Sequence, residues 1–332
     1  MRTQTYSFMT FVNRLNRLPS LLAVCILAMA WAISPAHAQT AASSAPQESF
    51  PSSDAAIASL QTAVAANDQS ALGKLFGPEF HELMTGDKVQ DANNFKKLAA
   101  DLAERCHPVK DDDNKITLEI GSNNWPMPIP LVQSNGQWHF DTAAGKEEII
   151  NRHIGKDELC AIGVCRAYVT AQLQYARLAG EGSNYALKFK STPGQKDGLY
   201  WPVSENEAAS PFGPLVAEAH AEGYITHKSA GPHPFHGYYF KILTRQGEAA
   251  SGGDMDYMSG GKLTGGFALV AYPEHWDQSG IMTFIVNQDG KVYQRNFAEK
   301  TAWIAGAMKD YNPDNDWTPV PDEGVLSAVS EK

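Results

Sequence analysis

The 332-residue chain predicts an α+β fold, in which N-terminal helices and a small antiparallel sheet precede a helix spine packed on an antiparallel β-meander. Three observations carry that expectation. Helix-period apolar residues run from Ser52 to Arg105, a second helical stretch runs from Lys146 to Leu178, and four short strand-like runs follow one another between 238 and 297. A hydrophobic content of 43% with 10% aromatics supports packed cores over most of the length.

Residues 1–38 stand apart. Arg2, Arg14 and Arg17 form a basic stretch without acids, LLAVCILAMAWAI (21–33) is apolar, and Ala36-His37-Ala38 is a small-x-small cleavage pattern. That order predicts a signal peptide cleaved after Ala38, and hence a periplasmic or secreted protein. The apolar run is too short for a membrane anchor across roughly 30 Å of hydrocarbon. Loss of the three arginines makes a chain of net charge −10 more acidic still, which argues against nucleic acid or an anionic membrane as a partner. No later segment is long and apolar enough to cross a membrane.

Residues 39–51, QTAASSAPQESFP, read as a flexible lead-in, followed by a small α+β domain over 52–145. Ile57, Leu60 and Val64 share a helix face, Asp68 caps a second helix carrying Leu72, Leu75 and Phe76, and Gly77-Pro78 ends it. A third helix, 92–105, presents Phe95, Leu98 and Leu102. Ile116, Leu118 and Ile120 then alternate as a strand, and Asn135-Gly136 is the preferred pair for a type I′ hairpin turn within 128–142. A second, helix-plus-antiparallel-sheet domain spans 146–310. Its helix is expected to break near Gly155 and to bury Leu159, Ile162, Cys165, Val169, Leu173 and Ala176, with Tyr168 and Tyr175 beside that stripe. Residues 191–236 are loop-rich apart from a short helix at 215–223. The strands 238–244, 266–272, 281–286 and 291–297 then form the meander, with 281–286 apolar on both faces and so central. Asp289-Gly290 makes the turn after it. A short helix over 301–308 precedes the tail at 311–332.

Chemistry motifs are tested against their spacing. The stretch SGGDMDYMSGGKLTGG (251–266) fails as a phosphate loop, because Asp256 stands where its first glycine is required and Leu263 where Ser or Thr is required. It reads as a mobile loop, and Asp254 with Asp256 are too few oxygens for calcium. His81-Glu82 lacks the second zincin histidine, since Thr85 holds that place. His233 and His236, with His220 and His227 upstream, are the best metal suspects, but His233 and His236 flank prolines in a loop with no adjacent acid and lack the helical spacing of a zinc site. There is no Gly-x-Ser-x-Gly elbow. No catalytic constellation, metal or cofactor is expected. Cys160 and Cys165, five residues apart on a helix, point about 140° away from each other. Cys106 pairing with Cys160, or three unpaired thiols, are the open alternatives.

The blocks NNWPMPIPLV, WHFDTAAGKEEIINRHIG, STPGQKDGLYWP, HGYYFKILTRQG and GGFALVAYPEHWDQSGIMTFIVNQDGKVY resemble an uncharacterised bacterial envelope family, domain of unknown function 2950, over Phe50 to Trp317. That resemblance implies a secreted protein and supplies no activity. The order VTAQLQYA, GYYFKI, GFALVAYP, SGIMTFIVNQDGKVY is similar to the globular heads of type IV pilin-like and pseudopilin-like proteins, although a soluble domain stands where their membrane helix would be. Residues 52–142 look like a cone-shaped domain of the nuclear-transport-factor-two kind. Two functions follow as expectations. One is a non-catalytic binding or envelope-assembly role with an envelope protein partner. The other is an enzyme or small-ligand binder with a site between the domains, lined by the 191–236 loops and by Trp201, His233, His236 and Tyr238.

Overall fold

The computed structural model describes residues 46–179, 184–204, 206–224 and 233–321, so the signal-peptide reading, most of the lead-in and His227 lie outside the described residues. The described residues belong to one compact unit with two hydrophobic cores. The first core is built by α1 (Ser53–Ala65), α2 (Gln69–Phe76) and α3 (Lys88–Glu104) over a sheet of β1 (Cys106–Asp112), β2 (Lys115–Ile120), β3 (Trp125–Pro126), β4 (Leu131–Ser134) and β5 (Gln137–Phe140).

Local chemistry explains each start. Ser52 caps α1 by accepting from the Ala55 N–H at 3.2 Å, and Asp68 caps α2 through the Ser70 and Ala71 N–H groups at 3.0 Å. Asp87 does the same for Val89 and Gln90, which is why α3 begins four residues before the apolar period does. α2 ends at Gly77-Pro78 as expected, and the chain there tightens into a 3₁₀ turn, Gly77–Leu83. Asn135 and Gly136, at φ 51° and 74°, make the type I′ turn and set Ser134 opposite Gln137. β1 pairs with β2 across a mostly exposed edge, so its sequence, CHPVKDD, shows no alternation.

A single helix, α4 (Thr142–Ala179), joins the cores, and at 1.5 Å per residue its 38 residues extend about 57 Å. The expected break at Gly155 is absent. One helix glycine costs only about 1 kcal/mol, which the packing of both flanking halves outweighs. The boundary expected at 145/146 therefore falls inside continuous helix rather than in a linker. The buried face is also rotated from the expected stripe. Ala161, Ile162, Cys165, Tyr168, Val169 and Tyr175 are buried, whereas Leu159 and Leu173 are exposed. Tyrosine supplies the larger buried area, and its hydroxyl finds a partner, as Tyr168 does on the Ala268 carbonyl at 3.2 Å.

The second core packs α4 against the sheet order β15 (Thr318–Pro319), β13 (Tyr293–Arg295), β12 (Thr283–Asn287), β11 (Ala268–Pro273) and β6 (Tyr238–Leu243), every neighbour antiparallel. Central β12 is buried throughout, in line with its two apolar faces. Its turn is pinned by Asn287, whose Oδ1 accepts from the Asp289 N–H at 3.1 Å, and pairing resumes only at Tyr293. The short strands β7 (Arg245–Gln246), β8 (Met255–Asp256), β9 (Met258–Ser259) and β10 (Lys262–Leu263) organise the Gly-rich stretch expected to be a loop. Tyr257 and Leu263 anchor it in the core, and the Tyr257 hydroxyl donates to Gln246 Oε1 at 2.7 Å. Helices α5 (Gly213–Glu222) and α6 (Thr301–Ala307) and the strand β14 (Asp310–Tyr311) complete the fold. Among the described residues no helix is long and apolar enough to cross a membrane.

Candidate functional site

Where the two cores meet on α4, ionisable side chains replace apolar ones. Asp157 is 0% exposed and His153, one turn earlier, is also buried. The His153 Nε2 lies 3.2 Å from Asp157 Oδ2. From α3, Gln90 Nε2 donates to Asp157 Oδ1 at 2.9 Å, a contact placed by the Asp87 cap at the start of that helix. The second Asp87 oxygen accepts from the Tyr224 hydroxyl at 2.7 Å. His236 closes the group from the loop before β6. Its Nε2 is 2.7 Å from Glu222 Oε2 at the end of α5, and its Nδ1 is 3.3 Å from the Tyr224 oxygen and 4.0 Å from Asp157 Oδ1.

Gly237 makes this approach possible. It sits at φ 64°, and a Cβ there would come within 2.6 Å of both Asp157 Oδ2 and the Ser279 Cβ. The backbone thus lies directly against the carboxylate. Glu158, the next residue, ties α4 to the sheet by accepting from the Ile281 and Met282 N–H groups at 2.9 Å.

Burial sets the proton affinities. It pushes the Asp157 carboxyl up to about 7, against the Gln90 hydrogen bond, which favours the anion. It lowers His153, against the nearby Asp91 and Asp87 carboxylates, and lowers His236, against Glu222. Near neutral pH the group therefore holds neutral imidazoles beside a carboxyl that readily gains or loses one proton. His153 Nδ1 and Gln90 Oε1 have no hydrogen-bond partner, while His153 Nε2 and Asp157 Oδ2 face only each other at 3.2 Å. Gln90 and His153 line a cavity of about 480 Å³ whose other walls include Leu72, Phe80, Phe95 and Met127. That cavity is a mostly apolar chamber whose walls also carry Asp91, Lys97, Asp101, Arg152 and Lys156.

The four residues singled out by sequence do not converge. His236 joins the Asp157 group. Tyr238 is buried in the second core, its hydroxyl donating to the Met282 carbonyl at 2.8 Å. His233 is exposed. Trp201 lines a separate cavity beside α5. Cys106 and Cys160 are not bonded, nor is Cys165. Cys106 packs at the first core, whereas Cys160 lies on α4 among the carboxylates Asp157, Glu222 and Glu218, so different elements hold the two thiols. Among the described residues no group of three or more His, Cys, Asp or Glu side chains is placed to hold a metal ion. The residues that sequence reasoning passed over, Gln90, His153, Asp157 and Tyr224, left one signal. His153 and Asp157 stand four apart on α4 and, continued by steps of three or four, lead onto Ala161, Cys165 and Tyr168, so they share the buried face.

The model of a protein family described as "Protein of unknown function (DUF2950)" matches residues 47–320, most of the chain, and the chain belongs to that family. No curated protein and no solved structure matches it.

Proposed function

We propose that this family member is an exported, periplasmic or secreted binding protein that takes a small, mostly apolar molecule ending in a hydroxyl or amide N–H into the 480 Å³ cavity of its first core. The observation that carries the reading is the pair of unpartnered polar atoms, Gln90 Oε1 and His153 Nδ1, on side chains that line a chamber with largely apolar walls. A buried polar atom left without a partner costs about 1–3 kcal/mol, a penalty that a donor-bearing ligand relieves. Gln90 Oε1 and the Asp157 carboxylate accept, and neutral His153 accepts at one nitrogen, so the ligand supplies a hydrogen. Asp91 and Asp101 share the walls with Lys97, Arg152 and Lys156, so the direction of hydrogen bonding rather than the lining charge selects the ligand. Export rests on the basic, apolar and small-residue order of 1–38.

The test compares 1-octanol with octanoate by titration calorimetry. Octanol binding that disappears in His153→Phe and Gln90→Met is the outcome the reading requires. Equal octanol binding by the wild type and both variants sinks it.

A second reading, a part in envelope assembly with a protein partner, is supported by Trp303, which is 77% exposed on α6, and by the resemblance of the sequence order to pilin-like heads. Crosslinking of periplasm from cells carrying Trp303→Ser checks it. Adducts that persist unchanged in that variant, or recovery of monomer alone from the wild type, count against it.

A further inference from the structure

A second cavity, of about 820 Å³, lies between α5 and the segments that carry Trp201 and Ser210. Its walls are largely apolar, with Phe189 and Phe212 stacked at 6.1 Å between ring centres and Val216 facing them from α5. Among the polar side chains that interrupt them, two are buried without partners. Trp201 is 7% exposed and Ser210 is 2% exposed, and neither the indole Nε1 nor the hydroxyl Oγ has a hydrogen-bond partner.

The chemistry of those two groups is one-sided. An indole N–H can only donate, and a serine hydroxyl donates readily to an anion. Lys190 lines the same cavity, and the Lys196 ammonium lies 5.4 Å from the centre of the Trp201 ring system. None of the described lining residues is acidic. The 10-residue α5 also begins here, at Gly213-Pro214, with no side chain capping it. Its backbone contributes little by direct bonding, because the Gly213 N–H already donates to the Ser210 carbonyl at 2.7 Å and proline has no N–H. Its positive end still favours negative charge nearby.

The frame around Trp201 is held in place. Ser191 N–H donates to the Tyr200 carbonyl at 2.8 Å, the Tyr200 N–H returns to the Phe189 carbonyl at 2.8 Å, and Asp197 closes the turn onto Thr192. Gly198 packs so closely against the Lys190–Ser191 backbone that a Cβ would lie 2.7 Å from it. Two donors are therefore presented by a preformed wall, which lowers the ordering penalty of binding.

We propose that this cavity is a second ligand site, which takes an apolar monocarboxylate with its carboxylate on Trp201 Nε1–H and Ser210 Oγ–H and its hydrocarbon against Phe189, Phe212 and Val216. The probe is octanoate, with octylamine as the same chain bearing the opposite charge, titrated into the full chain by calorimetry and by tryptophan fluorescence. Octanoate binds the wild type, and the Trp201→Phe and Ser210→Ala variants each weaken it about tenfold or more, the loss typical of a hydrogen bond to a charged group. His153→Phe, in the other cavity, leaves octanoate affinity unchanged. This separates failure here from failure of the octanol reading. Matching circular dichroism spectra and melting temperatures show that the variants are folded. No octanoate binding at millimolar concentration, equal binding by the wild type and the Trp201→Phe, Ser210→Ala double variant, or octylamine binding as well as octanoate would each overturn the proposal.

Discussion

The two cavities are alike in their apolar walls and opposite in their polar ends. The chamber of the first core holds Gln90 Oε1, His153 and, behind them, Asp157, all able to accept, among side chains of both charges, Asp91, Asp101, Lys97, Arg152 and Lys156. The chamber beside α5 ends on an indole N–H and a hydroxyl, with lysines near and no acid among its described lining residues. Volume alone separates the two poorly, since both exceed the size of a small ligand. Hydrogen-bonding direction separates them sharply. It assigns a donor-bearing neutral molecule to one and an anion to the other within the same acidic chain.

The largest test of that contrast removes the backbone approach that shapes the first site. Gly237→Val places a branched side chain at φ 64° against Asp157 and Ser279, and a loss of about 4 kcal/mol or more is expected in urea unfolding. A loss below about 1 kcal/mol would show that the loop is not pressed onto the carboxylate.

The next effect is pH-dependent. Asp157 rises from 3.8 in its ordinary state to about 7 in the fold, so the protonated form is favoured by folding. Its contribution is fully present below pH 4 and is lost as pH rises toward 7, about 4 kcal/mol over that window. His153 and His236 act in the opposite sense. Their affinities are lowered in the fold, so their contribution is present above their ordinary value of 6.5 and is lost as pH falls below it. Asp157→Asn keeps an acceptor for Gln90 and removes only the first slope. The variant is expected to match the wild type near pH 4 and to exceed it at pH 8 by an amount approaching that 4 kcal/mol, read from unfolding curves at each pH. Equal pH dependence in the two proteins would place the titrating group elsewhere.

Smaller effects distinguish ligand sites from structural networks. His153→Phe removes the unpartnered Nδ1 together with the Nε2 that faces Asp157 Oδ2 at 3.2 Å, and is expected to change stability by less than about 1 kcal/mol while abolishing octanol binding. A fall in melting temperature would mean that the imidazole is held by partners that matter to the fold. At the other cavity, Ser210→Ala is expected to raise stability by about 1 kcal/mol, because it removes a buried hydroxyl that has no partner. The smallest signal comes from the thiols. Burial pushes Cys165 up to about 12, so iodoacetamide at pH 8 should modify Cys106 in the first core region well before Cys165 in the second, as read by peptide mass.

Much of the fold was legible before any coordinates, because its signals are local. Ser52 and Asp68 cap helices by bonding N–H groups two or three residues away, and Asn135-Gly136 reaches positive φ through its own sterics. The central place of β12 followed from apolar residues on both faces. Edge strand β1 was not legible, since one exposed, polar strand has no periodicity to read. Neither was the continuity of α4, where a glycine's local penalty was outweighed by contacts on two cores formed from residues far along the chain.

The candidate sites divide in the same way. His236 and Trp201 drew attention as polar or aromatic residues in loops, yet the structure sends them to different places and leaves His233 exposed. Sequence alone determined the classes of element, their caps and turns, the acidic charge and the expectation of export, all of which depend on neighbours within a few positions. Tertiary structure alone decided that Gln90 meets Asp157 across 67 positions and that Glu222 meets His236. It also decided which buried atoms are left without partners. Burial and hydrogen-bond satisfaction are sums over the whole packed chain, and no short window contains them.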